Sequence, residues 1–236
     1  HLRNMIGKSG LTVDSVTLGT QATTSTKTVS ATTQSAESHQ KSTLINDGAR
    51  ELNISVAGEN ASIQKFAFAG DSSIKNVYLA STIATVGDNA FLTRVTDGKM
   101  YIYGHSSSDP IAQQPGIKTN NSYTIEWMPQ LKDLGVYIDK YQVGDNATAY
   151  LYMTSTDKYL VNITGSGTTY DSYTSQTHPG WYETYGNKVT EVLIDDTITT
   201  VGNYLFYGHS ALEKVTFGSG LTRIGDYAFA NCTAFE

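Results

Sequence analysis

The apolar positions of residues 189–236 repeat themselves. Val189, Val192, Ile194, Ile198, Val201 and Phe206 recur 23 residues later as Leu212, Val215, Phe217, Leu221, Ile224 and Phe229. The offset runs on, with His209 falling on Cys232 and Leu212 on Phe235. Within one unit, Leu212-x-x-Val215-x-Phe217 predicts a short strand whose alternate side chains face one side. Gly218, Ser219 and Gly220 predict a turn. Leu221 and Ile224 then point back inward, Gly225 predicts a tight or positive-φ corner, and Ala228 and Phe229 fill the floor, small beside large. Seven apolar side chains are too few to offset the ordering of a 23-residue unit on its own. Each unit is therefore expected to stack on a neighbour that closes its apolar face and pairs its strand.

The same period appears earlier in the chain. Ile63, Ala67 and Phe68 fall on Val86, Ala90 and Phe91, and Ile54 and Val56 fall on Val77 and Leu79. Ile74-x-x-Val77-x-Leu79 predicts the strand and Ile83 the return. Asn60 stands where Ile83 predicts an apolar residue, so residues 50–62 are expected to form a degenerate first turn.

A period of roughly 20–29 residues opening with L-x-x-L-x-L is the sequence form of a leucine-rich repeat. The run Leu221-Thr222-Arg223-Ile224-Gly225-Asp226-Tyr227-Ala228-Phe229-Ala230-Asn231-Cys232 resembles the hallmark of the BspA-type leucine-rich repeats, a family of bacterial and some protozoan surface proteins. The resemblance implies a β-rich leucine-rich-repeat solenoid, a right-handed coil of ~23-residue repeats. It implies two short arrays in tandem with β capping and connecting segments. Residues 99–118 resemble the family's closing element, with Tyr101, Tyr103, Gly104, Gly116, Ile117 and Lys118 in its places, although Pro110 and Pro115 count against the short helix expected there. Residues 143–188 resemble its opening element: Asn162-Ile163-Thr164-Gly165-Ser166-Gly167, Tyr170-Asp171 and Trp181-Tyr182 hold the places, with His178-Pro179-Gly180 a departure before the Trp. Trp181 is expected to cover the apolar face of the first coil.

The expected organisation is a first segment over 1–118, a connector over 119–142 and a second segment over 143–236. The first holds repeats at about 50–98 and a closing cap at 99–118. The second holds an opening cap at 143–188 and repeats at 189–236. In the connector, Tyr123, Ile125, Trp127, Leu134, Val136 and Ile138 predict a strand or two. Residues 20–43, rich in Ser and Thr, are expected to be a solvated loop. The chain starts at His1 and stops inside a repeat at Glu236, so a piece of a longer protein is expected.

Composition narrows the classes. With 21 Gly, 16 Tyr, 4 Pro and charged residues at 16%, the chain reads as turn-rich β. A net charge of −6 argues against a nucleic-acid footprint. No apolar run approaches 18 residues, so no membrane insertion is expected. The lone Cys232 excludes an intrachain disulfide framework and reads as a small buried hydrophobe.

Little here carries chemistry. His1, His39, His105, His178 and His209 have no metal-ligand spacing. Gly165-Ser166-Gly167 lacks the Lys and following helix of a phosphate loop. Asp195-Asp196 and the Asp88 and Asp226 pair read as turn residues bonding their own backbone. No catalytic residue, metal or cofactor is expected, and the chain is read as a non-enzyme. A surface remains. Asn76, Tyr78, Glu191, Leu193, Lys214 and Thr216 alternate with the inward positions and form the candidate partner face. The family resemblance implies an extracellular, cell-surface, adhesin-like module that binds a host matrix protein such as fibronectin or fibrinogen, or a glycan. The alternative is a passive spacer in a larger surface protein.

Overall fold

The computed structural model describes residues 12–18, 25–29, 52–57, 62–70 and 74–235. The chain forms two compact units, His1–Asp133 and Leu134–Glu236.

The first unit is built on a six-stranded sheet. Strands β1 (Thr12–Leu18), β2 (Ser25–Val29) and β3 (Leu52–Ala57) open it, with β1 antiparallel to both β2 and β3. Then β5 (Ile74–Leu79), β7 (Lys99–Tyr103) and β8 (Thr124–Met128) follow β3 in parallel, one beside the next. The short strands β4 (Ser62–Ile63) and β6 (Thr85–Val86) pair in parallel as a second ladder. The registers repeat the sequence offset: Ile54 lies beside Val77, Val56 beside Leu79, and Ile63 beside Val86. A third ladder joins the corners, where the N–H groups of Phe66, Phe68 and Gly70 donate to the carbonyls of Asp88, Ala90 and Leu92. Each repeat thus lends its neighbour backbone partners along three sides, satisfying groups that burial would otherwise strand.

The core between these ladders is the column set foreseen from the pattern, extended by Met100 and Ile102. Val56, Ile74, Val77, Leu79, Met100 and Ile102 are buried, as are Ile63, Val86, Ala67, Ala90, Phe68 and Phe91. Phe68 and Phe91 stack at 5.1 Å with planes 13° apart. Tyr123 meets Phe91 edge-on at 6.0 Å, and its hydroxyl donates to the Ile74 carbonyl at 2.7 Å.

Several expectations change. Residues 25–29, placed in a solvated loop by their Ser/Thr content, form β2; the rest of residues 20–43 lies outside the described residues, as do residues 58–61 between β3 and β4. In the closing element, Pro110–Gln113 is a 3-10 turn and Pro115–Lys118 one turn of α-helix. Each Pro sits at the first helical position, where a missing N–H costs no hydrogen bond and the fixed φ suits the helix. Ile111 and Ile117 then close over the core. The segment read as a connector supplies one strand to each unit: β8 to the first, and β9 (Val136–Gly144) to the second.

In the second unit β9, β10 (Ala147–Ser155) and β11 (Lys158–Gly165) form an antiparallel meander. Strand β12 (Gly167–Thr168) and a single helical turn, Tyr182–Tyr185, lead into β13 (Val189–Ile194), which lies parallel to β11. Then β14 (Ile198–Val201), β15 (Lys214–Thr216) and β16 (Arg223–Ile224) complete two parallel ladders, β11-β13-β15 and β12-β14-β16. Val192 lies beside Val215 and Val201 beside Ile224, as the offset requires. Side chains add rungs of their own: Asp171 Oδ1 accepts from the Asn203 N–H (3.0 Å), and Asn203 Oδ1 from the Asp226 N–H (2.7 Å).

Glycine at the Ile-Gly position works differently from expectation. Neither Gly87 nor Gly225 has positive φ. A Cβ on Gly87 would lie 2.5 Å from the Lys65 nitrogen, and one on Gly225 2.6 Å from the Asn203 nitrogen. Glycine is needed there for the close approach of the neighbouring repeat. The left-handed corner falls two residues later, on Asn89 and Tyr227, and on their counterparts Phe66 and Tyr204.

Candidate recognition surface

Side chains that alternate with the buried columns stand on the outer face of each sheet. In the first unit the register makes two rows. Asn76 lies between Asn53 and Lys99, and Tyr78 between Ser55 and Tyr101, with Thr124 and Glu126 beyond on β8. Tyr78 and Tyr101 stack at 5.1 Å with planes 9° apart. Tyr78 is only 8% exposed, so it supports the row without offering its ring to a partner. Lys99 is exposed, while Asn76, Tyr101 and Glu126 are half-buried. Lys99 and Glu126 were not singled out from the sequence, and Tyr101 was named only for the closing element, although the 23-residue offset from Asn76 and Tyr78 reaches Lys99 and Tyr101.

In the second unit Glu191 lies beside Lys214 and Leu193 beside Thr216. The structure gathers these four on one face and leaves Asn76 and Tyr78 in the other unit. Lys214 Nζ is 3.8 Å from Glu191 Oε1, and both groups are solvent-accessible, so the pair is worth ~1 kcal/mol at most. Toward β11 the same rows run into Leu160 and Asn162, both buried. Asn162 Nδ2 donates to the Leu193 carbonyl (3.2 Å) and to Asp195 Oδ1 (3.1 Å), tying the edge of the face to the turn after β13.

Among the described residues, His105, His209 and Asp196 bond to other groups of the chain. His105 Nε2 lies 2.8 Å from the Ser81 carbonyl and its Nδ1 3.4 Å from Asp109 Oδ2. Asp196 Oδ1 accepts from the Ser219 N–H at 2.8 Å, so it bonds the next repeat where a bond to its own backbone was expected. His209 is fully buried; its Nε2 accepts from Trp181 Nε1–H at 2.8 Å, and its Nδ1 faces the Tyr207 carbonyl at 3.3 Å. Burial pushes its pKa down to about 4 despite hydrogen bonding to the backbone carbonyls of Tyr207 and Phe206, which opposes the shift. Trp181 is fully buried against Phe206 (6.0 Å), covering the first repeat as expected. Cys232 is buried in the His209 register, and its Sγ donates to the Phe206 carbonyl at 3.3 Å. His1 and His39 lie outside the described residues. Among the described residues, no three His, Cys, Asp or Glu groups are placed to hold a metal ion, and no helix is long and apolar enough to cross a membrane.

The BspA type leucine rich repeat region matches residues 23–97 and 181–236, in six copies and over more than half of the chain. The chain belongs to the BspA-type leucine-rich repeat family. Its β-rich architecture is that of a repeat protein, and the first match includes the segment before β3, whose repeat pattern is faint by eye. A crystal structure of a leucine-rich repeat protein from Eubacterium ventriosum is 31% identical, over 41% of this chain and 24% of that one, with a TM-score of 0.35. This BspA-type chain therefore spans about a quarter of that protein's length. No curated protein matches it.

Proposed function

We propose that this chain is a binding module of an extracellular, cell-surface protein. In this reading its repeats are coils of a right-handed solenoid, and a host matrix protein such as fibronectin or fibrinogen, or a glycan, docks on the outer strand faces. No cofactor and no catalytic step is involved. The supporting observation is the in-register stacking of outward positions, Asn76 with Lys99 and Glu191 with Lys214, which turns short strands into a continuous platform. Membership of the BspA-type family supports the surface location.

The test is biolayer interferometry with immobilised fibronectin and fibrinogen and a glycan panel, using the wild-type chain, Leu193→Glu and Lys99→Glu. Capture weakened about tenfold or more by the change at half-buried Leu193 or at exposed Lys99 supports the strand faces. No capture, or capture indifferent to both changes, sinks them. A second reading, a passive spacer, draws on the self-pairing of Lys214 with Glu191 and the burial of Tyr78, which leave the platform mostly polar. That reading gains if the folded chain captures nothing.

A further inference from the structure

The left-handed corners of the repeats carry side chains that the backbone does not ask for. Phe66 (φ 61°), Asn89 (φ 57°), Tyr204 (φ 59°) and Tyr227 (φ 55°) occupy one position of the 23-residue unit. For a bulky residue this conformation is unfavourable, and Asn is its ordinary non-glycine occupant. Asn89 shows that Asn fits this corner in this chain. The stacking hydrogen bonds made there, from Phe66 N–H to the Asp88 carbonyl and from Tyr204 N–H to the Asp226 carbonyl, use main-chain atoms only. Yet three of the four corners hold aromatic rings, and Phe66 and Tyr227 are 47% and 61% exposed. Strain retained at a repeated surface position calls for a use of the side chain itself.

In the second unit these rings join others into a stripe. Tyr204 stacks on Tyr227 at 5.1 Å with planes 23° apart, and meets Tyr207 at 5.4 Å and 53°. Asn231 Nδ2 donates to the Tyr207 hydroxyl at 2.8 Å. Beside the stripe stand Asp226, which follows Ile224-Gly225, and Asp171, to which Arg223 is paired at 3.6 Å, while His178 stacks on Tyr207 at 6.3 Å.

We propose that Tyr204, Tyr207, Tyr227 and Asn231 form a binding site for a neutral polysaccharide. Phenol rings supply an apolar body and a hydroxyl together, which suits a sugar ring with a C–H face and a hydroxylated rim. In the second unit the site repeats with the fold, with Tyr204 and Tyr227 one repeat apart, and so fits a partner that repeats along its own length. The acidic flank, with its cation already paired, opposes an anionic glycan. Polypeptide hot spots centre on anchors in desolvated pockets, whereas this stripe consists of partly exposed phenols and an amide. The site lies on the corners, and stands whether or not the strand faces bind anything.

The experiment is calorimetry of the 236-residue chain against neutral hexasaccharides of β-glucan, mannan, galactan and chitin type, with a heparin hexasaccharide and soluble fibronectin for contrast. Wild type is expected to bind at least one neutral oligosaccharide, with saturation transfer to the Tyr204 and Tyr227 ring protons. The double variant Tyr204→Asn/Tyr227→Asn, copying the Asn89 corner, is expected to keep its melting temperature and bind about tenfold or more weakly. Tyr227→Phe, which keeps the ring and loses the hydroxyl, is expected to weaken binding a few-fold. Failure of every neutral oligosaccharide to bind overturns the proposal, as does binding confined to heparin or fibronectin. So does an affinity untouched in the double variant. Should that variant not fold, absence of transfer to the two rings in wild type overturns it equally.

Discussion

His209 offers a quantitative handle on the second unit. It is fully buried and held as the neutral tautomer with a proton on Nδ1, because Nε2 must accept from Trp181. Burial is the main cause of its lowered pKa; His178, which stacks on the neighbouring Tyr182, adds a smaller push in the same direction. In the unfolded chain the imidazole takes its proton at its ordinary 6.5, and in the folded chain at about 4. Above 6.5 both states are neutral and the full stability is present. Between 6.5 and 4 the unfolded chain binds the proton first, draining about 1.4 kcal/mol per pH unit. The whole displacement is worth about 3 kcal/mol. His209→Cys, the residue one repeat further on, removes this titration. It also leaves the Trp181 indole N–H without its acceptor, costing about 1–3 kcal/mol near neutrality. Urea unfolding at about pH 7, 6, 5 and 4, followed through the Trp181 indole cross-peak, measures both chains. The variant is expected to start lower and lose less on acidification, so the two curves converge or cross near pH 4. The subtraction removes the carboxylates that titrate in both chains. Parallel pH dependences for the two chains, or a His209 imidazole titrating near 6.5 by NMR in the folded state, refute the reasoning.

Other outcomes follow from the stacking. Phe206→Ala removes a fully buried ring stacked on Phe229 at 5.4 Å, and is expected to cost about 3–5 kcal/mol in urea unfolding. Gly87→Ala places a Cβ 2.5 Å from the backbone nitrogen of Lys65 and is expected to destabilise the first unit by about 1–3 kcal/mol or more, measured by thermal melting. Asn203→Ala removes the acceptor of the Asp226 N–H while its own main-chain N–H still reaches Asp171, for an expected loss of about 0.5–1.5 kcal/mol in urea unfolding. Burial raises the Cys232 thiol pKa, so a disulfide reagent is expected to label it far more slowly in the folded chain than in urea.

The repeat was legible because each inward position serves two neighbours at once. Val192 beside Val215 and Phe68 on Phe91 follow from an offset that any reader can count. The strand faces were legible for the same reason, since alternation sends Glu191 and Lys214 outward together. Pro110 and Pro115 misled, because a proline that opposes a helix interior suits a helix start, and short turns leave little pattern to tell the two apart. Strand β2 hid in a Ser/Thr tract, where partners on β1 decide pairing more than propensity does. The corner rings were in plain view as Tyr204 and Tyr227, but no local pattern marked their backbone as left-handed, and the Tyr204 N–H bonds the Asp226 carbonyl of the adjoining repeat.

The amino-acid order by itself determined the period, most of the inward columns, the family and the alternation of faces, because these depend on residue type at fixed spacing, although Phe217 and Ile224, expected inward, are 43% and 48% exposed. Only the tertiary structure decided that Tyr78 is covered, that Trp181 hydrogen-bonds a histidine 28 residues away, and that Gly225 makes room for a neighbouring backbone instead of turning a corner. Those outcomes turn on contacts between distant segments, and on which groups lose their water, which no local pattern encodes.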